Sequence, residues 1–411
     1  MRKYNAPGAR ISIVTMLPAE ALTGVQAHFL TIAERWRAEG LQVDIISPYG
    51  NSIAARFTRT ASQRLADLAA PFSAGLALLI RRAALGLVLR ALLKRAWRSG
   101  GGPSAVYAQD PYSALNAARA ARALRLPIRL TLVAHFNISE SAEACDKGLA
   151  RPGDISCRWA DRREAEAVKE AAVVIAPSEF LGRILRARHP GAASRIVVLP
   201  NWTTVPHDEE GRIEHDGVAI GSLEKRKNQR YLLETLAAAR ARGKSLRVLI
   251  VGDGPDRQML EELARDLGVS DLATFLGSHP RAAPLINSGR ILMHTALMEN
   301  APIVLLEAMA RGRPVAALPV GGIPEMVRED IEGIYLPPDD PAEAAARIVE
   351  LLDQPERLQA LGHAARRRFL ERYDLRLRQE ELTELVIGEA QARTPRPGAG
   401  EVRHGSQRPA N

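Results

Sequence analysis

Short apolar runs alternate with amphipathic helical segments from Ile11 to Leu199, lapse over the polar stretch from Pro200 to Gly217, and resume at Val218. That alternation constrains the fold most, because strand–helix–strand repeats close as parallel sheets with helical crossovers. In the first series the strands fall at Ile11–Met16, Gln42–Ser47, Ala105–Ala108, Ile128–Ala134, Val173–Ala176 and Ile196–Leu199. In the second they fall at Val218–Ile220, Arg247–Val251 and Thr274–Leu276, with two more inside Ile291–Val327. A chain of 411 residues exceeds one ordinary core. The pattern therefore predicts an α/β protein of two doubly wound, Rossmann-like domains, 1–200 and 201–375, with a last helix over 376–393. Residues 394–411 are Gly, Pro, Arg and polar residues and read as a disordered tail. The cleft between two such domains is the default binding site.

With 46% apolar and 25% charged residues the chain is globular, and only 4% aromatic residues argue against a base-stacking platform. Nothing in it has a nucleic-acid recognition signature. The formal net charge of +9 is concentrated in residues 1–100, which hold 14 Lys and Arg against 5 Asp and Glu. A half so basic suits an anionic lipid surface or a phosphorylated acceptor. Within it, Pro71–Arg98 carries Arg81, Arg82, Arg90, Lys94, Arg95 and Arg98 and no acidic residue. Its apolar stripe changes face near Gly86, which predicts a bend or a helix buried on two sides. Two readings stand for this segment: a cationic surface lying on an anionic membrane, or a core helix with solvated arginines. No uncharged run in it reaches the roughly 18 residues of a spanning helix. Cys145 and Cys157 form no disulfide framework or zinc pattern and read as free thiols of a reducing compartment. The apolar run Ile11–Val14 is too short for a signal segment, so a cytoplasmic location is expected.

Chemistry concentrates in Ile291–Val327. Glu299 and Glu307 bracket a helix start, and Pro302 suits a first helical position. If the helix begins over Asn300, Ala301, Pro302 and Ile303, free backbone N–H groups converge there as an anion site. Eight residues at helical rise would part the two carboxylates by roughly 12 Å, a span suited to two polyol groups flanking a diphosphate. The Gly321-Gly322 turn before Ile323-Pro324-Glu325 offers a second set of N–H groups. Lys227, in the cationic loop Gly221–Asn228, would open on the same sheet edge. A lysine with bare N–H groups neutralises a diphosphate and stabilises it as a leaving group. No Asp-x-Asp pair occurs, so no metal is expected.

In the first domain Gly24 stands where the first loop meets its helix, and Asp110 and His135 follow strands at the carboxyl edge, where open α/β sheets bind ligands. The polar loop from Asn137 to Gly153 is long enough to suggest function. Ser178 reads as a helix N-cap. Gly252-Asp253-Gly254 is only superficially a dinucleotide fingerprint, since Arg257 stands at its third glycine.

Together these pieces carry a resemblance. Glu299 and Glu307, seven residues between them inside ENAPIVLLEAMARGRPVAA, resemble the family-4 retaining glycosyltransferases of GT-B fold, as do GGIPEMV, GSLEKRKN, VGDGP and the FLG of Phe275–Gly277. The similarity covers the second domain almost throughout. In the first it is looser, resting on TGVQAHFLTIAERWRAEGLQV, Val133–His135, Ala176–Ser178 and Leu199–Asn201. The resemblance implies a nucleoside diphosphate sugar held mainly by the second domain, an acceptor held by the first, and retention of anomeric configuration without a metal or cofactor. By the same correspondence Lys227 would hold the diphosphate and Glu307 the ribose. Glu299 and the backbone of Asn300–Ile303 would hold the donor sugar, with Gly24 and Gly277 nearby and His135 lining the reacting centre. Asp110 is a weaker acceptor-side candidate. The last helix would cross back onto the first domain.

Two departures stand out. Ser222 replaces an arginine usual in the family, with Lys225 or Arg226 as candidate substitutes, and Trp202 follows Asn201 where glycine is common. The expected function is transfer to a polysaccharide or lipid-linked glycan at the cytoplasmic membrane face. Alternatives are a catalytically silent nucleotide-sugar or glycan-binding protein, or another GT-B enzyme such as a sugar-nucleotide epimerase or a sugar phosphorylase.

Overall fold

The computed structural model describes residues 9–18, 24–49, 53–70, 73–207 and 211–388. The tail expected over 394–411 lies outside them. The first half runs β1 (Arg10–Val14), α1 (Gly24–Ala38), β2 (Gln42–Ile46), α2 (Ile53–Ala69), α3 (Ala74–Gly100), β3 (Ala105–Ala108), α4 (Pro111–Leu124), β4 (Arg129–Val133), α5 (Glu140–Asp146), α6 (Ile155–Glu170), β5 (Val173–Ala176), α7 (Glu179–Arg188) and β6 (Ile196–Val198). Its six strands pair in parallel in the order β2-β1-β3-β4-β5-β6. Buried on both faces, they are nearly all apolar, as parallel sheets covered by helices require. Leu89, Leu93, Trp97, Leu115, Val168 and Leu185 pack one face. Phe29, Ile32 and Trp36 of α1 pack the other.

The second half runs β7 (His215–Ile220), α8 (Gln229–Ala241), β8 (Val248–Val251), α9 (Arg257–Asp266), β9 (Ala273–Gly277), β10 (Gly289–His294), α10 (Ile303–Ala310), β11 (Val315–Ala317), α11 (Ile323–Met326), β12 (Gly333–Tyr335), α12 (Pro341–Leu352), α13 (Pro355–Arg372) and α14 (Leu375–Ile387). The strands again pair in parallel, in the order β12-β11-β10-β7-β8-β9. Helix α14 leaves this sheet and packs on the first, where Leu382 and Val386 join the cluster of Phe29 and Trp36. Thr383 Oγ1 accepts from Trp36 Nε1 at 2.9 Å.

Three local expectations change. Helix α3 runs unbroken through Gly86 and lies between α2 and α4, so of the two readings of the stripe the two-sided one holds. Gly86 is where α3 meets α4: a Cβ there would stand 3.0 Å from Asn116 Nδ2. Part of the loop 137–153 is helical, as α5. Helix α10 starts at Ile303, with Pro302 extended at its N-cap (ψ 123°) and not in the first turn.

Each sheet has one point where strand order reverses, and ligand crevices form there at the carboxyl edge. In the first it lies between β1 and β3, in the second between β7 and β10.

Candidate active site

The β7–β10 crevice is lined by the loops that follow those two strands, and the loops are tied together. Leu297 N–H donates to Arg226 O at 2.9 Å, and Thr295 Oγ1 to Lys227 O at 3.2 Å. This brings three cationic or ionisable groups onto one buried carboxylate. Lys227 Nζ donates to Glu299 Oε1, Arg226 Nη1 lies 3.4 Å from the same oxygen, and His294 Nε2 also lies 3.4 Å from it. Burial pushes the Glu299 carboxyl up, but Lys227, His294 and Arg226 outweigh it and hold the group well below the usual carboxylate range. Burial likewise works against the charge on Arg226, and Glu299 and Glu224 overcome it, raising its pKa. For His294 burial wins, and its pKa is lowered. The site is thus a buried anion held by two permanent cations.

One amide of the anion nest expected over Asn300–Ile303 is spent within the protein. Asn300 N–H donates to Asn137 Oδ1 at 3.1 Å. Gly322 N–H, from the second glycine turn, donates to Glu299 O at 3.0 Å. Gly321 has φ 56°, and a Cβ on either glycine would run into the carbonyls of Glu299 and Asn300. The turn therefore buttresses the 299–300 peptides. Because Glu299 precedes the helix, the helical-rise estimate of its distance from Glu307 does not apply. Glu307 sits inside α10, half-buried, where burial lifts its carboxyl to about 7 and Arg311 only partly offsets it.

Of the remaining second-domain candidates, Ser222 and Lys225 are exposed, whereas the Arg226 side chain is largely buried beside Glu299. Gly277 ends the edge strand β9, with φ 85° and Arg257 Nη1 against the place of its missing Cβ. The Gly252–Gly254 turn is again a buttress: Leu223 N–H donates to Asp253 O, and Asp256 N–H to Leu223 O, both at 3.0 Å.

Across the cleft, His135 follows β4 and pairs through Nε2 with Gln109 Oε1 at 3.1 Å. Burial lowers its pKa to about 4, so the ring is neutral near pH 7. A neutral imidazole trades hydrogen bonds with hydroxyl groups and carries no charge to a phosphate. The His135 ring meets His28 of α1 edge to face at 5.8 Å, and the His28 ring lies tilted against Trp202 with centroids 3.7 Å apart. Burial, then His135, lowers the His28 pKa far down. Trp202 thus fills the space between α1 and the linker, which accounts for a tryptophan at this place. Asp110 is committed to structure: it accepts from Ser113 N–H at 2.8 Å as the cap of α4 and from Met16 N–H at 2.9 Å, bridging the β1–β3 crevice. Gly24, at the head of α1, faces Ile303 of α10, to which a Cβ would approach within 3.4 Å.

Lys227, Arg226, Glu299 and Asn300 therefore converge, with His135 and Gly24 on the facing domain. Ser222 and Lys225 face solvent, and Gly277 lies on the edge strand against Arg257. His294, His28 and Gln109 were not anticipated. His294 ends β10 at the carboxyl edge, where His135 follows β4 by two residues, and that position was the available signal. Among the described residues no group of three or more His, Cys, Asp or Glu side chains is placed to hold a metal ion.

Comparison with known proteins finds relatives of both halves of the chain. The family model described as Glycosyltransferase Family 4 matches residues 22–204, and that described as Glycosyl transferases group 1 matches residues 214–354. The alpha-D-kanosaminyltransferase of Streptomyces kanamyceticus is 33% identical over 139 residues, 33% of this chain and 36% of that protein. A GDP-mannose-dependent phosphatidylinositol monomannoside mannosyltransferase of Mycolicibacterium smegmatis is 32% identical over 185 residues, 43% of this chain and 48% of that one. The chain thus spans less than half the length of these two relatives. D-inositol 3-phosphate glycosyltransferase 1 of Catenulispora acidiphila is 26% identical over 89% of this chain and 92% of its own. Among solved structures, Anabaena HepE in complex with UDP and glucose superposes with a TM-score of 0.67 at 17% identity, covering 92% of this chain and 98% of that chain. At that identity the likeness shows the fold, two Rossmann-like domains in the GT-B arrangement. With both halves matched by adjoining models and the fold in agreement, the chain belongs to the family-4, group 1 glycosyltransferases.

Proposed function

We propose that this chain is a retaining, metal-independent glycosyltransferase that moves a sugar from a nucleoside diphosphate sugar to a polysaccharide or lipid-linked glycan acceptor at the cytoplasmic membrane face. The observation that carries the reading is the Lys227–Arg226–Glu299 cluster at the β7–β10 switch point, opposite a neutral His135. As the bond from the anomeric carbon to the diphosphate breaks, negative charge grows on the departing oxygen, and preorganised cations stabilise it. Lys227 has three N–H donors, so it reaches a phosphate without releasing Glu299. Arg226 takes the place of the arginine absent at Ser222. Glu299 accepts from donor sugar hydroxyls, Glu307 from the ribose diol, and His135 bonds a sugar hydroxyl from the acceptor side.

The acceptor's setting is supported by helix α3, whose exposed positions Leu76, Ala83, Leu87, Ala91, Arg95 and Arg98 fall on one stripe. A shallow concavity of about 530 Å³ on this helix is lined by Ala91, Lys94, Arg95, Arg98 and Ser99. No helix among the described residues is long and apolar enough to cross a membrane, and the reading is of peripheral contact with anionic lipid.

Screening nucleotide sugars by thermal shift, then assaying turnover of the one that binds, tests the activity. Glu299→Gln, which keeps the side chain's shape, is expected to reduce turnover on the order of 100-fold. Arg226→Ala is expected to raise donor KM about tenfold or more, the worth of one charge-assisted bond to phosphate. Lys225→Ala should leave it within a factor of two or so, as exposed charges do. A donor bound without turnover by the unaltered chain would favour a silent binding protein, the reading that the exposed Ser222 supports.

A further inference from the structure

Glu325 lies in the short α11, in the stretch where the sequence suggested a ligand's anion would bind. Its own carboxylate is instead the anion, and it is bound by the other domain. Glu325 Oε2 accepts from Glu179 N–H at 2.7 Å and Oε1 from Phe180 N–H at 2.6 Å, the first two N–H groups of α7. Those groups have no partner within their helix, and the positive end of the helix dipole favours a carboxylate there. The Glu179 side chain turns away to Arg186 at 2.7 Å, so it does not repel its neighbour across the cleft.

Both ends of this bond are anchored to parts that matter. The backbone carbonyl of Glu325 accepts from Arg368 Nη2 at 2.8 Å and from the Tyr373 hydroxyl at 3.2 Å. Tyr373 O in turn accepts from Thr203 N–H at 3.1 Å, where the two crossing segments between the domains lie side by side. At the other end Ser178, the N-cap of α7, accepts from Leu181 N–H at 3.1 Å and donates to Asn300 Oδ1. Phe136 and Asn137 of the first domain, and Asn201 of the linker, then hold the rest of that loop. Asn300 Nδ2 donates to Phe136 O at 3.1 Å, Asn137 Nδ2 to Met298 O at 3.3 Å, and Asn201 Nδ2 to Ala301 O at 2.8 Å. The loop that carries Glu299 is thus shaped in part by the opposite domain.

We propose that Glu325 is the latch of domain closure, a positioning residue that docks on the head of α7 and thereby sets the 298–301 loop against the first domain. The latch itself stands on the geometry alone, whereas its effect on sugar transfer rests on the function proposed above. When the latch opens, the Glu179 and Phe180 amides turn to water and the loop loses its first-domain partners.

Amide hydrogen exchange on the full chain reads the latch directly. In Glu325→Ala, exchange across residues 179–180 is expected to quicken about tenfold, and small-angle scattering to show a larger radius of gyration. Glu325→Gln keeps one acceptor oxygen and should fall between the two, which also covers a failure of the alanine variant to fold. For transfer, kcat is expected to drop about tenfold with the affinity for the nucleoside diphosphate alone within twofold. Unchanged exchange at 179–180 together with an unchanged scattering profile would overturn the latch. Faster exchange with kcat unaltered would overturn its positioning role, and an inactive unaltered chain would count against the proposed function while exchange and scattering still judged the latch.

Discussion

Glu307 is a carboxyl whose chemistry depends on its proton. Burial lifts it to about 7, from 4.5 in an unfolded chain. Between those values the folded protein holds a proton that the unfolded chain has lost, so this group's contribution to stability is greatest below pH 4.5 and is lost as pH rises through 7. The loss from this group is on the order of 3 kcal/mol. Binding should run the other way, since only the ionised carboxylate accepts from both hydroxyls of a diol. Donor affinity is therefore expected to strengthen from pH 6 to pH 8, and in Glu307→Gln to be flat, as titration calorimetry at several pH values would show. A wild-type profile equally flat would remove Glu307 from the donor site. Glu140, also raised to about 7 by burial, shares the stability window, so the stability slope of the variant should shrink and not vanish. Nothing in the residue order reveals these shifts. The spacing of Glu299 and Glu307 marks them as a pair, but their surroundings divide them, one carboxyl pinned by cations and the other buried beside a single arginine.

At the scale of elements, most strands and long helices were legible because their apolar periods are strong, but the 17-residue α2 (Ile53–Ala69) and the three-residue β12 (Gly333–Tyr335) were not read from the sequence. Helix α5 is seven residues long, too short for its pattern to stand out from a polar loop. The change of stripe near Gly86 left open a bend or a helix buried on two sides, and the structure uses the missing side chain there to bring α4 close to an unbroken helix. The glycine turn at 321–322 reads as a phosphate cradle because that use and a tight turn need the same close approach of backbone; here, as at 252–254, that approach is made by the protein's own carbonyls. Helices α2 and α3 carry the element-scale prediction. Leu65, Leu68 and Leu87 are more than half exposed, beside the exposed Arg81, Arg95 and Arg98. Each basic residue at an anionic surface contributes about 1 kcal/mol. The chain should float with anionic liposomes at low salt and be released at high salt. Arg95→Gln with Arg98→Gln is expected to weaken partition by roughly thirtyfold, about 2 kcal/mol, and failure of the unaltered protein to bind at low salt would end the membrane reading.

At the scale of the whole molecule, the chain passes between its domains twice, and the passages are joined. Leu375 N–H donates to Thr203 O at 3.0 Å, beside the Thr203 N–H bond to Tyr373 O. The second passage delivers α14 to the first domain, where Leu375, Leu382, Val386 and Ile387 are buried against α1 and the sheet. Arg35 Nε donates to Gln379 Oε1 at 2.8 Å, and Thr131 Oγ1 to Leu385 O at 3.2 Å. Periodicity gave this helix its place in the sequence, but a stripe of leucines does not say which of two sheets it covers. The first domain's core is therefore complete only with residues near 387 in place. Leu382→Ala, a large-to-small change at a fully buried position, should cost about 2–5 kcal/mol. Because residue 382 belongs by sequence to the second half and by packing to the first, calorimetry of the full chain separates the two assignments. The first-domain transition is expected to fall in temperature while the second keeps its own. A fall confined to the second transition would place α14 with the second domain, and a single transition shifted as a whole would mean that the paired passages couple both sheets into one cooperative unit.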